Sequence, residues 1–245
     1  MALSFHDERS GEGGVKQADT MPRMSPGVER SLRGAEPEAA ILVHGLWMRP
    51  WVMGFLARRL RQRGFRVWAF AYRSVRGGLA ENAQALARFA ASVRSPVLHF
   101  VGHSLGGLVI AASLHAHPEP RPGRVVFIGS PFRGSAAGRR LARNRAGAAA
   151  LGRSMGQWLR MRPLAEWANP HELGVIAGES ELGLGRLIEP ALERPNDGAV
   201  AVAETDVPGA ADRIVLPVSH SGMLVSSRVA EQVAAFLRHG RFSRT

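Results

Sequence analysis

The stretch HFVGHSLGGLVIAASLHAH, residues 99–117, sets a serine between two glycines where an apolar run changes its period. Up to Gly102 the run reads as a buried strand, and Leu105 to Ala116 reads as a helix, so Ser104 stands on a sharp strand-to-helix turn. Such a turn presses the residues on either side of it together. Gly102 and Gly106 carry no side chain that would clash there. The turn lifts the serine oxygen clear of the sheet, and the helix N-terminus behind it favours negative charge as it develops. A G-x-S-x-G turn of this form suits a nucleophile. The alternative is a glycine-rich turn with a capping serine, so the rest of the chain has to supply a base, an orienting acid and oxyanion donors.

Outward from this turn, short apolar runs alternate with helical patterns. The runs are EAAILVH (38–44), FRVWAFAY (65–72), PVLHFVG (96–102), GRVVFIGSP (123–131), ELGVIAG (172–178) and DRIVLPV (212–218). They are as continuously apolar as strands buried on both faces. Helical spacing covers Met53–Arg63, Leu79–Val93, Leu105–Ala116 and Val225–Arg238. This alternation predicts an α/β fold with a mainly parallel, doubly wound sheet and helices on both faces. A long insert of helical composition, about 132–170, follows the strand ending near Ile128. Residues 1–37 are polar, rich in glycine and charge, and aperiodic. They read as a leader with no core of its own, ahead of one domain over 38–245.

Nine histidines are available as the base. His220 alone comes just after the last strand, on the carboxyl edge where open α/β sheets hold their ligands. With the order serine, acid, histidine, the acid lies between Ser104 and His220. Asp212 opens the last strand from the opposite edge, and Asp206 sits in a Pro/Gly connection. Asp197, in PNDGAV, lies in a turn at the useful edge and is preferred, with Glu179 and Glu181, just past the fifth strand, in reserve. Two backbone N–H groups are positioned as oxyanion donors, those of Leu105 and of Leu46 in VHGLW.

Composition narrows the partners. The net charge is +12, but Lys16 is the only lysine among 32 basic residues, and the arginines are spread along the chain. Arginine with abundant alanine and glycine is the signature of GC-rich coding, so no nucleic-acid partner is expected. Without cysteine there is no disulfide, thiolate site or cysteine nucleophile. No apolar run reaches the roughly 18 residues of a membrane span, and the first residues lack the pattern of a signal peptide. A cytoplasmic location is the expectation.

With VHGLW, GHSLGG, IGSPFRGS and NDG in this order, and a histidine after the last strand, the chain resembles the α/β-hydrolase superfamily over about 38–238, and within it bacterial lipases and esterases. The resemblance implies Ser104 as nucleophile, His220 as general base and acid, Asp197 as the residue orienting His220, and Leu46 and Leu105 as oxyanion donors. It implies an acyl-enzyme route to ester hydrolysis without a cofactor. Many lipases of this kind bind calcium near the catalytic histidine, but VSHSGMLVSS offers no carboxylate after His220, so no metal is expected. The insert is expected to form a helical cap, with Met155 and Trp158 on an apolar stripe that walls an acyl pocket beside Trp47 and Met223. Over 120–165 there are ten arginines, eight of them in the insert, and no acidic residue, which suggests weak contact of the cap with an anionic membrane surface. The same triad would also serve an acyltransferase, amidase or thioesterase. A non-catalytic binding protein is the more distant alternative.

Overall fold

The computed structural model describes residues 37–161, 166–182, 189 and 192–244; the leader expected over 1–37 lies outside them except for residue 37. Six strands form one sheet: β1 (Ala39–Val43), β2 (Arg66–Phe70), β3 (Leu98–His103), β4 (Arg124–Ile128), β5 (Glu172–Gly178) and β6 (Asp212–Leu216). Their spatial order is β2-β1-β3-β4-β5-β6, and every neighbouring pair is parallel. The sheet is therefore the doubly wound one that the alternation predicts.

Side-chain alternation gives each face its own core. Ala39, Ile41 and Val43 of β1 join Leu79 and Leu86 of α2 (Leu79–Ser92) and Leu105 and Leu108 of α3 (Leu105–Ala116). Ala40 and Leu42 of the same strand face the other way. They meet Leu56 and Leu60 of α1 (Gly54–Arg61) and Val229 and Val233 of the closing helix, Ser227–His239. All five residues of β1 are buried, which is why the central strands read as unbroken apolar runs. Strand β6, at the sheet edge, buries only Leu216.

Helix boundaries depart from the periodic pattern where local chemistry intervenes. The helix expected from Met53 begins as a 3-10 turn, Pro50–Met53, because proline fits a first turn whose N–H groups have no intrahelical partner. The closing helix starts two residues later than expected, where Ser226 Oγ accepts from Val229 N at 3.3 Å, and ends at Gly240 with φ 70°.

The insert holds two helices, α4 (Ala136–Leu141) and α5 (Arg145–Arg160), capped by Ser135 and Asn144. Helix α5 is broken at Gly152, whose φ of 74° and ψ of 174° only glycine adopts easily. A Cβ there would lie 2.7 Å from the carbonyl oxygen of Val75. Beyond the break, Ser154 Oγ donates to Gly77 O and accepts from Asn82 Nδ2, both at 2.9 Å, which fixes the second half of α5 to the start of α2. The closing helix, after α5 in chain order, is α6. No helix among the described residues is long and apolar enough to cross a membrane.

Candidate active site

Ser104 stands between the last residue of β3 and the first of α3, with φ 54° and ψ −123°. A non-glycine residue in that region costs about 1–3 kcal/mol and persists only where its surroundings enforce it. The enforcement is backbone crowding. A Cβ on Gly106 would fall 2.1 Å from Val43 O, and one on Gly102 would fall 2.4 Å from Gly107 N. Helix α3 thus crosses β1 and β3 at backbone contact, which holds the turn tight. The Ser104 amide is bonded to Ile128 O at the end of β4, at 2.9 Å.

Two loops at the same sheet edge bring Asp197 to His220. The His220 amide donates to Asp197 O at 2.8 Å, and His220 Nδ1 lies 2.7 Å from Asp197 Oδ2. An ionised carboxylate only accepts, so Nδ1 carries the hydrogen and Nε2 keeps its lone pair. The carboxylate is itself held: Oδ1 accepts from Ala199 N at 2.9 Å and Val200 N at 2.7 Å. Asp197 is fully buried. Gly129, at φ 57°, leaves room for the pair, since a Cβ there would come 3.1 Å from Asp197 Oδ2 and 3.2 Å from His220 Nδ1.

Ser104 and His220 open onto one cavity of about 230 Å³, walled also by Leu46, Leu105, Leu141, Leu151, Met155 and Val200. The hydroxyl and the imidazole are not hydrogen-bonded to each other in this geometry, which is common before a substrate tightens such a site. The N–H groups of Leu46 and Leu105 donate to no other described backbone carbonyl. Leu105 opens α3, so its N–H is one of the orphan donors of a helix start. The wall is largely apolar, and a charge formed inside would be screened weakly.

The structure divides the expected pocket residues. Trp47 and Met155 line the cavity. Trp158 does not: it is buried against Phe132, with ring centres 5.7 Å apart. Met223 does not either, being 1% exposed in the core beneath the Asp197–His220 pair. Helical spacing marks Trp158, and nearness to His220 marks Met223, but neither signal can tell a cavity wall from a core. Of the reserve acids, Glu181 pairs with Arg194 at 2.9 Å, and Glu179 is exposed; neither bonds to His220.

Three residues at the site carry no strong sequence signal. His103, fully buried, donates from Nε2 to the carbonyl oxygen of His220 at 3.0 Å. Burial, and then the charge of His220, push its pKa down to about 3, so it stays neutral while it holds the loop. Tyr72 donates to His44 O at 2.7 Å, tying β2 to the turn that carries Leu46. Glu204 accepts from Ala136 N at the start of α4 and from Ala201 N, linking the insert to the Asp197 segment, and burial raises its pKa. Among the described residues, no group of three or more His, Cys, Asp or Glu is placed to hold a metal ion.

A sequence profile described as "Alpha/beta hydrolase family" matches residues 40–242. No curated protein sequence matches. Among solved structures, the metagenomic carboxyl esterase MGS0156 superposes with a TM-score of 0.62 at 20% identity, over 76% of this chain and 66% of its own. The chain thus spans a little under two thirds of that esterase. The pyrethroid hydrolase PytH gives 0.60 at 15% identity, over 84% and 99% of the two chains. The carboxylesterase CesB from Bacillus subtilis gives 0.54 at 15% identity, over 84% and 85%. At these identities the likeness is one of fold.

Proposed function

The chain belongs to the alpha/beta hydrolase family, and from that premise we propose that it is a serine hydrolase of small carboxylic esters. One observation carries the reading: a strained serine, an Asp-held histidine and two backbone N–H groups without a backbone partner meet at a single apolar cavity. The esterases among its structural relatives support it.

Each step falls to a named group. His220 Nε2 takes the proton of Ser104 Oγ as the oxygen attacks the ester carbonyl. The Leu46 and Leu105 N–H groups hold the tetrahedral oxyanion, and Asp197 steadies the imidazolium that forms. The alcohol leaves with the proton from His220. Water, activated by the same nitrogen, then releases the acid. The helices of the insert act as the cap, with Leu141, Leu151 and Met155 against the acyl chain. At about 230 Å³ the cavity is below the roughly 300–1,000 Å³ typical of drug-sized ligands, which favours short acyl chains. Hydrolysis of p-nitrophenyl esters of increasing acyl length is the test. Turnover is expected to peak at the short end and to vanish in Ser104→Ala. Turnover that survives that substitution would overturn the reading, and rising turnover with long chains would overturn the size argument. A panel of amide, thioester and alcohol-acceptor substrates separates hydrolysis of esters from the other chemistries this triad supports.

The insert also carries a docking surface in this reading. Arg140, Arg143 and Arg145 are exposed and have no carboxylate within 4.0 Å among the described residues, whereas Arg139 has Glu204 at 4.0 Å. Exposed, unpaired arginine suits the surface of an anionic membrane. The small cavity makes the membrane a surface to sit on rather than the substrate. Binding to vesicles containing phosphatidylserine is expected at low salt, with loss at physiological salt and in the Arg140, Arg143, Arg145→Gln variant. Equal binding of both proteins to neutral and anionic vesicles would remove the role of the arginines.

A further inference from the structure

Two non-glycine residues among those described have a positive φ. One is Ser104. The other is Trp47, at φ 59°, one residue after the Leu46 whose N–H is assigned to the oxyanion. A bulky residue in this region is an outlier, and something must hold it there. Packing cannot be the whole reason, because Trp47 is 56% exposed. What does reach it is the insert: the indole Nε1–H donates to the carbonyl oxygen of Ala150 at 2.8 Å, across 103 positions of sequence.

That acceptor lies beside the break in α5. Gly152 leaves helical geometry, so the Arg153 N–H, the helical partner of Ala149 O, turns away to Val75 O at 2.9 Å, and the Ser154 N–H that would reach Ala150 O lies beyond the break. Carbonyls just before such a break lack their usual helical donors and need others. Ala150 O, two residues before Gly152, receives the indole. The two halves of α5 are thus held by different parts of the molecule. The second half is fixed to the start of α2 through Ser154, and through Gln157 Oε1, which accepts from Leu79 N. The first half has the Trp47 bond on its cavity side, and most of its residues from Arg145 to Ala150 are exposed.

We propose that Trp47 is a positioning residue: its indole fastens the first half of α5 to the oxyanion loop, and the same bond keeps Trp47 at positive φ and so fixes the direction of the neighbouring Leu46 N–H. The position of the insert and the quality of the oxyanion site then become one variable. This rests on the esterase reading above for its catalytic consequence, but the fastening itself does not. The bond acts on the transition state through Leu46, so its loss lowers kcat rather than raising KM.

The test replaces Trp47 by phenylalanine and, separately, by 3-benzothienylalanine, which keeps the bicyclic shape and replaces N–H by sulfur. Hydrogen exchange read by mass spectrometry should rise about tenfold over residues 145–151 in both variants and stay unchanged over 153–160. On a short p-nitrophenyl ester, kcat should fall on the order of tenfold with KM within about twofold. A Trp47→His variant, which retains a ring N–H, should recover part of the loss. Unchanged exchange over 145–151 would overturn the fastening. Faster exchange with unchanged kcat would overturn the positioning role. If the benzothienyl variant behaved as wild type while phenylalanine did not, shape and not the hydrogen bond would be the cause, and the proposal would fail. Absence of ester turnover in the wild-type protein would count against the proposed function alone, since exchange still decides whether the fastening exists.

Discussion

Ser104→Ala and His220→Ala are each expected to lower ester turnover by about a thousandfold or more, with little loss of melting temperature. The two losses should be similar and should not add in the double variant, because a nucleophile without its base and a base without its nucleophile disable the same step. Folding should survive. The tension at Ser104 is imposed by backbone contacts of Gly102 and Gly106, which alanine at 104 leaves in place. His220 is held through its amide, on Asp197 O, and through its carbonyl, which accepts from His103 Nε2, as well as through its ring, so the loop keeps two of its three ties. A fluorophosphonate probe gives an independent reading: it should label the wild type, label His220→Ala slowly, and leave Ser104→Ala unlabelled. Wild-type turnover in either variant ends the serine-hydrolase proposal, and labelling of Ser104→Ala would place the reactive nucleophile elsewhere.

The fold is legible in the sequence for a plain physical reason. A parallel sheet covered on both faces needs strands that are apolar at every position, and AAILV at β1 is such a strand. The glycines around Ser104 are equally legible, because a turn that brings two backbones within contact has no other residue to use. The order of elements then puts the ends of β3 and β5 and the loop after β6 at one edge, which is where Ser104, Asp197 and His220 are found.

The walls of the cavity are another matter. Met155 and Trp158 belong to one apolar stripe, yet Met155 faces the cavity and Trp158 lies against Phe132. A helical period reports which side of a helix is buried, not what it is buried against. The break at Gly152 is also hidden, since one glycine in a helical pattern reads only as a small loss of propensity. Its meaning lies in Val75, far earlier in the chain, whose carbonyl leaves no space for a side chain. His103 and Glu204 escape the sequence for a related reason. Both act on backbone groups of distant segments, and backbone partners leave no trace in the identity of the residues that supply them.

The second large effect is expected at Asp197. In Asp197→Asn the amide oxygen can still accept from Ala199 N and Val200 N in place of Oδ1, so the loop keeps its shape. The amide nitrogen then stands where Oδ2 was, 2.7 Å from His220 Nδ1, with a hydrogen of its own. Two donors cannot face each other, so the imidazole changes tautomer: Nδ1 gives up its hydrogen and accepts, and Nε2 becomes protonated. The lone pair that has to take the Ser104 proton is gone, and no charge remains to steady an imidazolium. Turnover should fall by about 10³–10⁴-fold at neutral pH with the fold intact, as it does in a serine protease whose triad aspartate is changed to asparagine. Glu179→Gln is the control, and it should be silent because the exposed carboxylate touches neither His220 nor the loop that holds it. Circular dichroism and melting temperature separate this from unfolding. If Glu179→Gln proves damaging and Asp197→Asn silent, the orienting acid sits directly after β5, and the Asp197–His220 contact is a structural bond with no part in catalysis.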